Sequence, residues 1–182
     1  KGGLFMITSC IIFLATFGTP TGDTDTYYLD NYFNCRDNVP VSMWEYAPYY
    51  YEHFNEENIN TAVRIGWCES RGKSTAHRKD NGDSGVMQFV SWTWNWVAEE
   101  YDIPMWNEWV IMRWGRPYTE NKTYPHDIGF EQVQVQYSPY YNIMFASILA
   151  EDIYNRTQWR DWNSSKWCWD DKKKWRKKWL NE

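Results

Sequence analysis

Asn55-Glu56-Glu57-Asn58-Ile59-Asn60-Thr61-Ala62-Val63-Arg64-Ile65-Gly66-Trp67-Cys68-Glu69-Ser70-Arg71-Gly72 is the stretch whose reading decides the fold. Its apolar and small residues Ile59, Ala62, Val63, Gly66 and Trp67 recur at i, i+3, i+4, i+7 and i+8, one face of a helix. Asn55 suits the N-cap position, and Glu56 and Glu57 suit a first turn, where the helix dipole favours negative charge. Gly72 supplies a stop. The helix therefore delivers Glu69 at its C-terminal end, flanked by Trp67 and Cys68 and placed for burial. Burial disfavours the ionised carboxyl and raises its pKa, as a general acid working near neutral pH requires. Taken alone, a glutamate at a helix end reads rather as an exposed residue before an ordinary turn, and it is the run sixteen to nineteen residues on that tips the reading.

Downstream, residues 73–85 form a polar loop with Ala76 as its one apolar residue, followed by Ser84-Gly85-Val86-Met87-Gln88-Phe89. Gly85 allows a close backbone approach, and the Gln88 amide is able to hydrogen-bond a sugar or an N-acetyl group. Ser91 or Thr93 then caps a short helix through Trp94, Val97, Ala98 and Tyr101, ended by Pro104. Residues 105–138 are poorly patterned, with a short strand expected at Val133-Gln134-Val135. After Pro139 a helix is expected from Tyr140 to about Asn155, apolar on more than one face and so a buried central element. Residues 56–170 thus read as one mainly α domain.

Upstream, residues 23–55 are rich in Asp, Asn and Tyr and interrupted by Pro40 and Pro48, which suggests an irregular arm wrapping the domain. Within residues 1–22, Leu4 to Phe17 is too short to span a membrane and has the length of a signal-peptide core. The alternative is a buried N-terminal helix or strand. A lipoprotein reading through Cys10 fails, because the apolar run continues beyond it. Residues 171–182 form a basic tail carrying Trp175 and Trp179 on one helical face. Such a tail suits contact with an anionic envelope polymer or membrane surface, or else a solvated terminal helix.

The chain's 182 residues suffice for one domain of ordinary size. A net charge of −5 excludes a nucleic-acid binder that relies on bulk positive charge. The 14 Trp, 14 Tyr and 8 Phe are more than a small core needs. Most belong to that core, and the remainder suits a carbohydrate cleft or a wet interface. His53, His77 and His126 lack HExxH spacing, and no Cys/His cluster has zinc spacing. Asp80-Asn81-Gly82-Asp83-Ser84-Gly85 has a calcium-loop flavour, but the closing position twelve is Ser91 rather than glutamate. There is no phosphate-cradling glycine loop, so neither metal nor cofactor is expected. Gly82-Asp83-Ser84-Gly85 and Thr75-Ala76-His77 echo the nucleophile and histidine segments of chymotrypsin-like proteases. That fold is β-rich and sets the two segments in different barrels, whereas here only seven residues separate His77 from Ser84 in a chain that reads as mainly helical.

Three segments in order carry a resemblance. Cys68-Glu69-Ser70-Arg71-Gly72, then Gly85-Val86-Met87-Gln88-Phe89 with Thr93-Trp94, resembles the paired motifs of the lysozyme-like lytic transglycosylases. This is the soluble lytic transglycosylase and goose-type lysozyme group, and the form is nearest its resuscitation-promoting-factor and phage-borne branch. Pro139, Asn142-Ile143 and then Trp159-Arg160-Asp161-Trp162-Asn163-Ser164-Ser165-Lys166-Trp167-Cys168-Trp169 is similar to the W-x-x-W-x-x-S-x-x-C-W ending of the exported and phage domains. The likeness covers about 60–170 and leaves out 102–138. The late Tyr-Asn pair of many transglycosylases is absent, with the Cys168 segment in its place.

The resemblance implies a helical lysozyme-like fold and cleavage of the β-1,4 bond between N-acetylmuramic acid and N-acetylglucosamine. Glu69 would protonate the glycosidic oxygen, and Ser70, Gly85, Met87, Gln88, Trp92 and Trp162 would meet the glycan. Assistance by the substrate's acetamido group, with the muramyl 6-hydroxyl closing an anhydro ring, would make a second carboxylate unnecessary. An ordinary hydrolysis directed by Asp80 or Asp83 stays open. In the resembling exported domains cysteines at the places of Cys68 and Cys168 pair, which implies an oxidising, extracytoplasmic or virion setting. Cys10 and Cys35 are then left over. The partner implied is a peptidoglycan strand. The competing reading is a non-catalytic glycan-binding or structural subunit of a virion or envelope built on the same fold.

Overall fold

The computed structural model describes residues 7–18, 26–118, 129–153 and 159–180. The helix expected after Asn55 is α4 (Glu56–Ser70), the middle of the core, burying Ile59, Ala62, Val63, Ile65 and Trp67. It stops because Arg71 takes the left-handed conformation (φ 58°, ψ 27°) and Gly72 follows at φ 74°. Asn55 occupies the N-cap position without capping. Its amide Nδ2 and backbone N–H both donate to Glu151, which also accepts from Asn58 Nδ2 at 2.7 Å. That carboxylate sits at the positive end of α4 and binds it to the far side of the chain.

Before α4 come α1 (Ile7–Phe17), α2 (Thr26–Arg36), a 3-10 turn (Val41–Tyr46) and α3 (Ala47–His53). After it come α5 (Ser91–Tyr101), strands β1 (Trp109–Arg113), β2 (Arg116–Pro117) and β3 (Phe130–Gln134), and a 3-10 turn at Val135–Tyr137. Helix α6 (Pro139–Ser147) continues into a π turn (Ile148–Ile153), and the chain closes with a 3-10 turn (Arg160–Ser165), α7 (Lys166–Trp169) and α8 (Lys172–Trp179). The protein is mainly helical with one small antiparallel sheet, as the sequence pattern indicates.

Two segments differ from expectation. The stretch 23–55 is not irregular: from Thr26 onward it is mostly helical, and Met43, Trp44, Tyr46, Ala47, Tyr49 and Tyr50 are core residues. Pro48 lies in the first turn of α3, where the missing N–H costs nothing and the fixed φ favours the helix. The apolar stretch of residues 1–22 forms α1, packed on α3 and α4 with Ile7, Cys10, Ile11, Phe13 and Leu14 buried. Cys10 is bonded to Cys35 of α2, so these two cysteines are not left over.

The region 102–138 contributes the sheet, ordered β2-β1-β3 with both pairs antiparallel. Val110 and Met112 face inward from β1, while Trp109 and Ile111 are exposed on its outer face. The expected strand is β3, ending at Gln134 with Val135 already in the turn. The long helix expected to about Asn155 is α6 plus the π turn, with Asn155 itself outside the described residues. It is buried on several sides, as its composition requires: Asn142, Ile143, Phe145, Ala146, Leu149 and Ala150 are all covered.

The chain's end is docked. The Trp175 ring lies edge-on against Trp67 with centroids 5.9 Å apart and is 2% exposed, and Trp179 packs beside it. The two rings of the basic tail are therefore spent on the domain, while Arg176 and Lys177 stay at the surface.

Candidate active-site cleft

The end of α4, the loop before α5, the start of α5 and the 3-10 turn at Arg160–Ser165 enclose a cleft of about 410 Å³. Glu69, Gln88, Trp92 and Trp162 all line it, together with Arg78, Asp83 and Asp161. Residues up to 95 positions apart in the chain, Glu69 to Ser164, thus converge on one concavity. The Cys68–Cys168 bridge, closing 100 residues, fastens the third segment next to the acid.

Half-buried Glu69 has its carboxyl pKa raised, first by burial and further by the Asp83 charge. The Ser165 hydroxyl, Arg78 and Arg71 act against the rise. Ser165 is positioned by the closing segment: its Oγ accepts from Trp169 Nε1 at 3.1 Å and lies 3.1 Å from the Trp162 carbonyl, which competes with Glu69 for its one proton. The Arg71 guanidinium lies 4.2 Å over the Trp67 ring and donates to the Trp67 and Cys68 carbonyls at the exposed end of α4.

The raised carboxyl has a consequence for stability. In acid both folded and unfolded chains hold the proton. As pH rises through the ordinary carboxylate range the unfolded chain gives it up first, and folding is progressively penalised. Glu69→Gln stays neutral at every pH. Thermal melts should show the variant matching the wild type in acid and becoming the more stable of the two towards neutrality. A variant that is less stable at pH 7 would contradict the burial argument.

Ser70, Gly85 and Met87 lie outside the cleft lining. The Ser70 hydroxyl donates to Gly66 O at 2.9 Å and accepts from Gly72 N–H at 3.1 Å, finishing the helix end. Met87 is fully buried, and its sulfur receives the Tyr50 hydroxyl at 3.4 Å. Gly85, at φ 85°, passes so close to Asn142 and the Gln136 carbonyl that no Cβ fits. All three are held in the framework behind the cleft lining. Gln88, also left-handed at φ 56°, spends its amide hydrogens on Ala76 O (3.1 Å) and Gly85 O (2.8 Å), so its Oε1 is the atom left to accept a hydrogen bond. Trp92 is the exposed ring of the rim at 73%, whereas Trp162 is 2% exposed and donates Nε1–H to Met87 O at 3.0 Å.

Asn142 pins the whole loop. Its Oδ1 accepts from Met87 N–H at 2.7 Å, and its Nδ2 donates to Gln136 O at 3.0 Å and Ser84 O at 3.3 Å, all inside the core. Asn142→Ala leaves these groups without partners and should cost about 3 kcal/mol. Urea unfolding would show it, and a loss below about 1 kcal/mol would mean that water replaces the side chain.

The His77 and Ser84 pair does meet, Nδ1 to Oγ at 2.9 Å. Ser84 is only 1% exposed, and each residue makes an antiparallel bridge, Ser84 to both His77 and Phe89. A hydroxyl so enclosed stiffens a loop and has no access to a peptide substrate. The acidic residues of the same loop are engaged by a cation of the chain: Arg78 pairs with Asp80 at 3.3 Å and Asp83 at 3.6 Å. Among the described residues no three His, Cys, Asp or Glu side chains are grouped to hold a metal ion.

The cleft also holds Arg78, Asp161 and Ser164, none of them expected from the sequence, with Ser165 beside Glu69. Asp161 enters the cleft with its own carboxyl pKa raised by burial and opposed by Arg160. The signal for the last three was present, as polar residues spaced between the tryptophans of the closing segment. The chain matches no protein-family model, no curated sequence and no solved structure.

Proposed function

We propose that this chain cleaves the β-1,4 bond between N-acetylmuramic acid and N-acetylglucosamine in peptidoglycan, on a lysozyme-like arrangement of helices, with Glu69 as the general acid. The observation that carries the reading is the convergence of half-buried Glu69, Gln88 and the exposed Trp92 on one cleft. Glu69, protonated, gives its proton to the glycosidic oxygen as the bond to the anomeric carbon breaks. The positive charge left on the sugar is met by the substrate's acetamido oxygen. Either the muramyl 6-hydroxyl or a water then attacks the anomeric carbon, and its proton returns to Glu69. Between the two transfers the Glu69 carboxylate is supported by Ser165, Arg78 and Arg71. The Trp92 face suits a sugar ring, and Gln88 Oε1 suits a hydroxyl or acetamido N–H.

An oxidising setting, outside the cytoplasm or on a virion, is part of the proposal and is supported by the two disulfides. Zymography on cell-wall gels tests the function. Clearing by the wild type and none by Glu69→Gln is the expected result. Equal clearing by both would remove Glu69 from its role. Binding to cell walls without clearing by either would favour a glycan-binding or structural subunit.

A further inference from the structure

A second cavity, of about 320 Å³, lies between the sheet and the 3-10 turn before α3, and its chemistry differs from that of the cleft. Tyr46 and Tyr49 give it aromatic walls, Met112 contributes an apolar patch, and Glu45 and Glu131 stand at its edge. Tyr49 is 9% exposed, and its hydroxyl has no hydrogen-bond partner among the described residues. That hydroxyl abuts Gly115, whose φ of 74° and missing Cβ let the β1–β2 turn pass over it. Glu45 and Glu131 form no ion pair among the described residues, and the nearby cation, Arg116, is taken by Glu52 at 2.9 Å. Burial raises the Tyr49 pKa, Arg116 opposes the rise, and Glu45, Glu131 and Glu52 push it further up.

The lining therefore offers carboxylate and hydroxyl acceptors and two tyrosine rings, with no cationic side chain of its own. Among the described residues no three His, Cys, Asp or Glu side chains group here to hold a metal ion, whereas aromatic rings beside carboxylates suit an organic cation. The volume is at the small end of ligand sites, enough for an aliphatic arm and its head group. We propose that this cavity binds a primary ammonium group carried on a short aliphatic chain. Two sources share that chemistry: a free diamine, and an amino-acid side chain on a peptide. The second rests on the peptidoglycan reading, since the peptide stems of that polymer carry amines. The site itself does not.

The experiment is calorimetric titration of the full chain, without cell wall, using Nα-acetyl-lysine amide, its ε-acetylated counterpart and cadaverine. Saturable binding of the free amine is expected, weakened at least about tenfold by ε-acetylation and about tenfold in both Glu45→Gln and Glu131→Gln. Both glutamates are exposed, so the variants should fold, and unchanged circular dichroism confirms it. Cadaverine binding more tightly than the capped lysine assigns the site to free diamines, and the reverse order assigns it to peptide amines. Either order supports an ammonium site. No saturation with either amine, equal binding of the acetylated probe, or variants that bind like the wild type would overturn it. A protein that binds the amine yet releases no muropeptides overturns only the glycosidase reading.

Discussion

Glu69→Gln should lower the rate of cell-wall solubilisation by roughly 10²–10⁴-fold, the range that a positioned general acid contributes. The amide keeps the shape of the side chain and its contact with Ser165 but has no proton to give. The fold should be unharmed, because the wild-type carboxyl is held where its charge is unwelcome. For the wild type, the rate should fall as pH rises through the elevated Glu69 pKa, since only the protonated form can donate. The variant's residual rate should lack that limb. Turbidity clearing across the pH range separates these outcomes. A variant retaining more than about a tenth of the wild-type rate would show that another group supplies the proton.

Removing the Cys68–Cys168 bridge by paired substitution to alanine should destabilise the protein by roughly 4–5 kcal/mol in the chain-entropy model. The closed loop holds 100 residues, whereas Cys10–Cys35 closes 25 and should matter less, about 3.5 kcal/mol. The long bridge also has a local task. It fixes α7 against α4 at the residue beside Glu69, and the preceding turn brings Asp161, Trp162 and Ser165 to the cleft. Activity measured well below the melting temperature should therefore fall more in Cys68→Ala/Cys168→Ala than in Cys10→Ala/Cys35→Ala. Denaturant unfolding and turbidity clearing give the two readings. An order reversed in both would mean that the α1–α2 clasp, and not the closing segment, organises the domain.

The most legible part of the chain was α4, because its apolar residues keep a helical period and both ends carry terminal signals. The loop after it was legible through Gly85 and Gln88, whose positions follow from the tight path between Ala76 and Phe89. The part before Asn55 was misread for a definite reason. Prolines read as breakers, although Pro48 starts a helix, and its tyrosines and asparagines have weak helix propensity that core packing overrides. The sheet was obscured by its outer face. β1 alternates as a strand should, but Trp109 and Ile111 stand on the exposed side where polar residues would have revealed the pattern. Cys10 lies within the apolar stretch that reads as a leader, which hides its pairing with Cys35. In the site, Gln88 and Trp92 reached the cleft as expected. Ser70, Gly85 and Met87 belong to the frame behind it, since a motif marks residues that must be there without saying which way each one faces.

The excess of aromatic residues divides in the same way. Trp94, Phe89, Phe145 and Trp162 form one contiguous cluster, with the Trp94 and Phe145 rings stacked 4.4 Å apart. Phe89 and Trp162 of this cluster also face the cleft. Trp92, Trp96, Trp109, Trp114 and Trp167 are the exposed tryptophans, and only Trp92 lines the cleft.

Mass spectrometry of the soluble products from purified peptidoglycan is the most direct test of the central claim. Wild-type protein should release disaccharide muropeptides ending in either an anhydro-muramyl or a reducing muramyl group, and Glu69→Gln should release none above background. Muropeptides of the same kind and amount from both proteins, or no glycan-derived product from the wild type, would contradict the account.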